Sequence, residues 1–196
     1  MKKTLFNPFE KFSGRPLILL GIAATVLLSM TGSYFNARFD GVLDLHFLTP
    51  TYFVNTLTDN IINVIILSIS FFTLGKIRNK KTRFIDIFSA SLISRIPYYF
   101  VPFLNWNNIL LLESKKVMDT FLALQPGQVP NFDNIQIALL VLFSCISFVF
   151  LAWFVYLLYQ GYKVATNAKG SIEIVLFGVT LIAAEIVSKI IFYLIN

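Results

Sequence analysis

From Asn134 to Tyr162 the chain carries no charged residue. A helix crosses the apolar layer of a bilayer in about 20 residues, so this run alone forces a membrane-spanning reading. Four more runs have the same character: residues 16–37, about 54–75, about 84–104 and about 172–195. With the fourth span placed within 135–162, the pattern predicts an all-α integral membrane protein, a single domain built as a five-transmembrane-helix bundle. Composition agrees, because a chain that is 57% hydrophobic and 13% charged, with mean hydropathy +0.75, lies well outside the soluble range. The first run has spans after it and no convincing cleavage site, so it reads as a retained span and not a removed signal peptide.

Several chemistries are excluded or left without support. Cys145 is the only cysteine and His46 the only histidine, so no intramolecular disulfide and no two-histidine metal motif can form. Cys145, inside an apolar run, reads as a packing residue. No glycine-rich phosphate loop and no nucleophile elbow is present, and no catalytic residue or cofactor is expected. The net charge of +6 comes from short basic connections, without the basic helix or stacking aromatics that would suggest nucleic acid.

Those connections predict topology. Lys2, Lys3, Lys11 and Arg15 precede the first span, Lys76, Arg78, Lys80, Lys81 and Arg83 follow the second, and Lys163 and Lys169 follow the fourth. The alternate connections hold Arg38, Lys115 and Lys116. Lysine and arginine favour the cytoplasmic side, which puts the N-terminus in the cytoplasm and the C-terminus outside.

Two flanking segments look amphipathic. In residues 5–14, Asn7 can cap a short helix with Pro8 at its first position and Glu10 at its third, while Phe9 and Phe12 share a face; this predicts an interfacial segment. Residues 108–124 place Leu110, Val117, Phe121 and Leu124 opposite Glu113, Lys116 and Thr120, as expected of a helix lying on the outer surface; a half-inserted sixth helix is the alternative.

Polar residues within the spans carry what chemistry there is. A charge at mid-membrane costs about 2.5–3.5 kcal/mol, so it faces a partner or water. Asp86 sits at the start of the third span, where the helix dipole favours a carboxylate. Arg95 lies about 18 Å along that span. Glu185, about 20 Å along the fifth, matches its depth and is the first candidate partner. Asp59 with Lys189 is the second pairing, and a local Glu185 to Lys189 contact competes with both. Thr56, Asp59, Asn63 and Ser70 form one polar stripe on the second span, with Asn60 beside it. Together Arg95, Glu185, Asp59, Lys189, Asn63 and Asn60 make a candidate intramembrane polar network, either bundle glue or a polar path. Pro97 and Pro102 each remove a helix hydrogen bond, so the helix is expected to kink or break there.

Ser94, Arg95, Ile96 and Pro97 form a Ser-x-x-Pro element in the third span, and "NPFEKF" precedes the first. With five spans and a basic connection before the third, the chain resembles the Yip-type (Ypt-interacting) membrane family, particularly its short bacterial branch. The resemblance implies a non-enzymatic membrane-organising or accessory subunit in a bacterial inner (plasma) membrane, with lipids and other membrane proteins as partners. Eukaryotic relatives engage small GTPases through a long cytosolic region. About fifteen residues stand before the first span here, and Ser91, Leu92 and Ile93 replace the usual Tyr-Gly-Tyr, so GTPase binding is not carried over. The competing function is a small transporter or channel-like protein using the polar network.

Overall fold

The computed structural model describes residues 6–12, 14–125 and 128–195. Lys2, Lys3 and residues 5 and 13 of the interfacial segment lie outside that range. Six α-helices occur among the described residues: α1 Arg15–Tyr34, α2 Phe53–Arg78, α3 Phe84–Ser94, α4 Ile109–Leu122, α5 Asn134–Thr166 and α6 Ser171–Ile195. A two-residue strand pair, β1 Ala37–Arg38 and β2 His46–Phe47, lies between α1 and α2, and a 3-10 segment, Tyr98–Asn108, lies between α3 and α4. Five helical stretches are long and apolar enough to cross a membrane, the third of them running from Phe84 to Leu122. The molecule is a membrane-type helical bundle.

Local chemistry explains the helix ends. Asn36 and Asn167 take left-handed conformations after α1 and α5, which stops each helix. Lys76 and Arg78 occupy the last turn of α2, where the helix dipole favours cations. Asp133 caps α5 by accepting from the Ile135 N–H at 3.2 Å. The helices α2 and α3 form the centre, with α1 against both, α5 on α3 and α6 on α2. Buried small residues let them approach: Gly21 of α1 faces Leu92, and Gly161 of α5 faces Ala90 and Phe9. The core collects Leu67, Phe71, Tyr99, Phe154 and Tyr162 from the helices, together with Phe39 and Val42 from the loop between β1 and β2.

One end of the bundle is basic. Arg78 of α2 bonds Glu173 at the start of α6, Asn79 bonds the carbonyl of Thr166 at the end of α5, and Arg83 grips Asp86 at the start of α3. The other end carries the strand pair, the 3-10 segment and α4.

In the third span the prolines give a break and not a kink: α3 stops at Ser94, with Arg95 as its cap, and the chain tightens into 3-10 geometry after Pro97. Pro97 has no N–H to offer the Ile93 carbonyl. The Ile96 N–H takes that carbonyl instead, at 3.2 Å, in the tighter register. Pro102 lies inside the 3-10 segment, which leaves helical geometry three residues later, at Asn105, Trp106 and Asn107.

The N-terminal flanking segment differs in part. Near the N-terminus only Pro8–Glu10 form a single 3-10 turn, Asn7 bonds the Glu10 side chain and not the backbone, and Phe9 and Phe12 part company. Phe9 is buried against Gly161 while Phe12 is exposed. Residues 109–122 form α4, anchored at its start by Leu110 and Leu111 and largely exposed beyond.

Candidate functional site

The connection between α1 and α2 does not cap the bundle; it enters it. The chain leaves α1, pairs Ala37 and Arg38 with Phe47 and His46, and folds the intervening residues inward. Phe39 and Val42 end up fully buried. Asn63, which bonds the Phe39 carbonyl, is ten residues into α2, so the loop descends about 15 Å from the end of that helix. Irregular backbone at that depth is tolerated only where protein groups satisfy its N–H and C=O groups.

The spans supply those groups. At Val42 the N–H donates to Ser188 Oγ (3.1 Å) and the carbonyl accepts from Arg95 Nη1 (3.0 Å). At Leu43 the N–H donates to Glu185 Oε2 (2.7 Å) and the carbonyl accepts from the Tyr98 hydroxyl (2.9 Å). Thr56 bonds the Ala37 carbonyl (3.3 Å), Asn63 Nδ2 the Phe39 carbonyl (2.7 Å) and Asn105 Nδ2 the Phe35 carbonyl (2.8 Å). Three spans and the 3-10 segment thus form a seat for one loop. Gly41 gives room where the loop passes Glu185: a Cβ there would lie 2.6 Å from Oε1 and 2.9 Å from the Asp44 Cβ, so a side chain would have to shift.

Arg95 is the centre of the seat and has no accessible surface. Its Nη2 reaches Asn60 Oδ1 at 3.4 Å and its Nε the Tyr99 hydroxyl at 3.3 Å. The guanidinium carbon sits 5.4–5.9 Å from the ring centres of Phe39, Tyr98, Tyr99 and Phe154. Aromatic faces, carbonyls and hydroxyls therefore surround the cation. Asn60 passes the network on to Ser29 Oγ at 2.9 Å, and Ser29 bonds the Thr25 carbonyl of α1.

The expected pairings are corrected. Arg95 and Glu185 do not touch as an ion pair: each binds loop backbone, from opposite sides. Asp59 pairs with Arg38, through two bonds of 2.6 and 3.0 Å, and not with Lys189. Lys189 binds Asp40 and Asp44 of the loop, so the local Glu185 to Lys189 contact gives way as well. Depth matching considered only spans, and the partners came from a connection. On α2, Thr56, Asp59, Asn60 and Asn63 are buried, whereas Ser70 is only half-buried and Ser68 takes the buried position.

Residues that the sequence did not assign to the polar network complete the seat: Ser188, Tyr98, Asn105, Asp40, Asp44 and Arg38. A signal existed in the connection itself, where "RFDGVLDLHF" alternates charges with Phe39, Val42, Leu43 and Leu45, too many apolar side chains for a solvated turn. Glu185, Ser188 and Lys189 also share one helix face.

At the loop's outer rim His46 Nδ1 lies 2.9 Å from Asp40 Oδ1. The Asp40 contact holds the imidazole above its ordinary value, against burial. Burial pushes the Asp40 carboxyl up, but His46 and Lys189 outweigh it and the net shift is downward. Asp40, Asp44 and His46 do not form a metal centre: among the described residues no three such ligands are grouped to hold an ion, and the Lys189 ammonium binds both carboxylates. The chemistry available at the site is retention of a loop. Comparison of the chain with family models, curated proteins and solved structures gives no match.

Proposed function

We propose that the chain is a non-enzymatic membrane protein of Yip type, set in a bacterial plasma membrane with its N-terminus in the cytoplasm. It works as a membrane-organising or accessory subunit that packs against lipids and other membrane proteins. One observation carries this reading: the polar side chains at the centre of the network are engaged with the protein's own loop and with one another, and Arg95, Asn60 and Asn63 each have 0% exposure, while Lys189 at the rim stays partly exposed. A transport path needs such groups to face water. Two further features support it. The Ser94 to Pro97 element falls at the break of the third span, and α5 turns Val141, Leu142, Phe148 and Val149 outward as an apolar face.

The test uses Cys145→Ser protein carrying Ser29→Cys or Ser188→Cys, near-isosteric changes inside the seat. In intact membranes a small charged thiol reagent should leave both unlabelled and should label them after denaturation. Labelling from either side would open the seat to water and favour a transporter, which ion flux in proteoliposomes would then reveal. The accessory role is tested separately: a membrane protein should co-purify at fixed stoichiometry in mild detergent and be lost on Phe148→Ser. Recovery of the chain alone would remove that role.

A further inference from the structure

The helices α5 and α6 are consecutive, yet their backbones stay apart along most of their length. Side chains close the gap only towards the basic end, where Tyr159 packs edge-on against Phe177, with ring centres 5.2 Å apart. The space left is a groove of about 540 Å³ lined by Phe148, Leu151, Val155, Tyr156, Gly178 and Leu181, among others. Gly178 leaves the α6 wall open, since a Cβ there would meet nothing within 4 Å. From Phe148 to Tyr159 the groove follows α5 for about 16 Å.

The charge at the mouth identifies the occupant. Tyr156 and Tyr159 share a helical stripe with Lys163, which lies about 6 Å beyond Tyr159 towards the basic end. Lys169 follows in the turn before α6. Both lysines are exposed, and neither forms an ion pair among the described residues. At the same end Arg78 is held by Glu173 and Arg83 by Asp86, while Lys76, Lys80 and Lys81, also without an ion pair among the described residues, do not line the groove. An apolar slot opening onto lipid, with two unpaired cations at headgroup depth, complements an acyl chain bearing a phosphate.

We propose that the groove between α5 and α6 is a site for one anionic phospholipid, its acyl chain along Gly178 and its headgroup phosphate between Lys163 and Lys169. Tyr156 and Tyr159 place their hydroxyls near the glycerol level, where amphipathic rings sit between apolar and wet surroundings. The site deepens the reading of a protein that packs against lipids, by naming the lipid class and its place.

Native mass spectrometry of the full-length protein, released from mixed micelles of phosphatidylglycerol and phosphatidylcholine, tests it. One phosphatidylglycerol should be retained with a preference of about 25-fold, from about fivefold for each lysine. Lys163→Gln with Lys169→Gln should abolish the preference but leave weak retention of both lipids. Gly178→Leu, which fills open space on a helix, should abolish retention while the thermal transition of the delipidated protein stays. Glycerol phosphate without acyl chains should not compete. Equal retention of the two lipids by the wild type, or undiminished retention by folded Gly178→Leu, would overturn the site. Either result leaves the accessory-subunit reading standing, because that reading depends on a closed seat and a co-purifying protein.

Discussion

Arg95 and Glu185 hold the two ends of one peptide unit. The guanidinium donates to the Val42 carbonyl while the carboxylate accepts from the Leu43 N–H, so the loop's peptide dipole lies between opposite charges, aligned with both. A buried cation and a half-buried carboxylate are thereby joined through backbone, and hydrogen bonds to charged groups of this kind are stronger than neutral ones.

Removing either end should weaken the other. Arg95→Met leaves the Val42 carbonyl without its donor, a loss of about 1–3 kcal/mol, and Glu185→Gln weakens the Leu43 contact. The double variant should lose less than the two singles together, with an interaction energy of about 0.5–3 kcal/mol. Thermal unfolding of the four proteins in one mild detergent measures the cycle; strict additivity would contradict the shared peptide unit.

Gly41→Ala should lift the loop from its seat. The added methyl would meet Glu185 Oε1 and the Asp44 side chain at less than contact distance, an overpacking cost of about 1–3 kcal/mol. Trypsin reads the outcome: Arg38 is largely shielded in the wild type and should be cleaved at early times in the variant. Equal cleavage of the two proteins would show that the loop tolerates the methyl.

The pair Arg38 and Asp59 should behave as a buried ion pair, since the Asp59 side chain is 3% exposed. Asp59→Ala leaves Arg38 without its carboxylate and should cost about 3–5 kcal/mol, whereas Arg38→Met with Asp59→Leu should recover most of that loss. Denaturation midpoints check the order; a double variant no better than Asp59→Ala would refute it.

The contact of His46 with Asp40 makes stability depend on pH. The folded imidazole titrates above its unfolded value of 6.5, so its contribution is full below 6.5 and disappears as pH rises through the raised folded value. Asp40 titrates below its unfolded 3.8, so its contribution holds above 3.8 and is lost as pH falls through the lowered value. The gap in melting temperature between wild type and His46→Gln should therefore be wide at pH 5 and 6 and narrow towards pH 9. A constant gap would show that the imidazole does not titrate in the contact.

The five long apolar helices were legible because hydropathy over 20 residues is a local property that no tertiary contact needs to confirm. Depth was legible too: Arg95 and Glu185 do meet the same part of the loop. What the sequence hid was the intermediary. The apolar side chains of residues 39–45 hint that this connection avoids solvent, but not where it goes, since burial of Phe39 and Val42 depends on partners such as Asn63, Ser188 and Tyr98 that converge only after packing. The break after Ser94 was legible as a proline position, but its depth as 3-10 backbone was not, because it is Ile96, and not a residue four places on, that takes up the Ile93 carbonyl.

The seat also imposes an order on synthesis. Leu43 and Glu185 are 142 residues apart, and at about 5–20 residues per second the loop waits about 7–30 s for the helix that completes its bonding. Until α6 arrives, Phe39 and Val42 have only part of their surroundings and the Val42 and Leu43 N–H groups lack their acceptors. The earliest connection made is thus the last to settle, and its closure reports that every later span has reached its place.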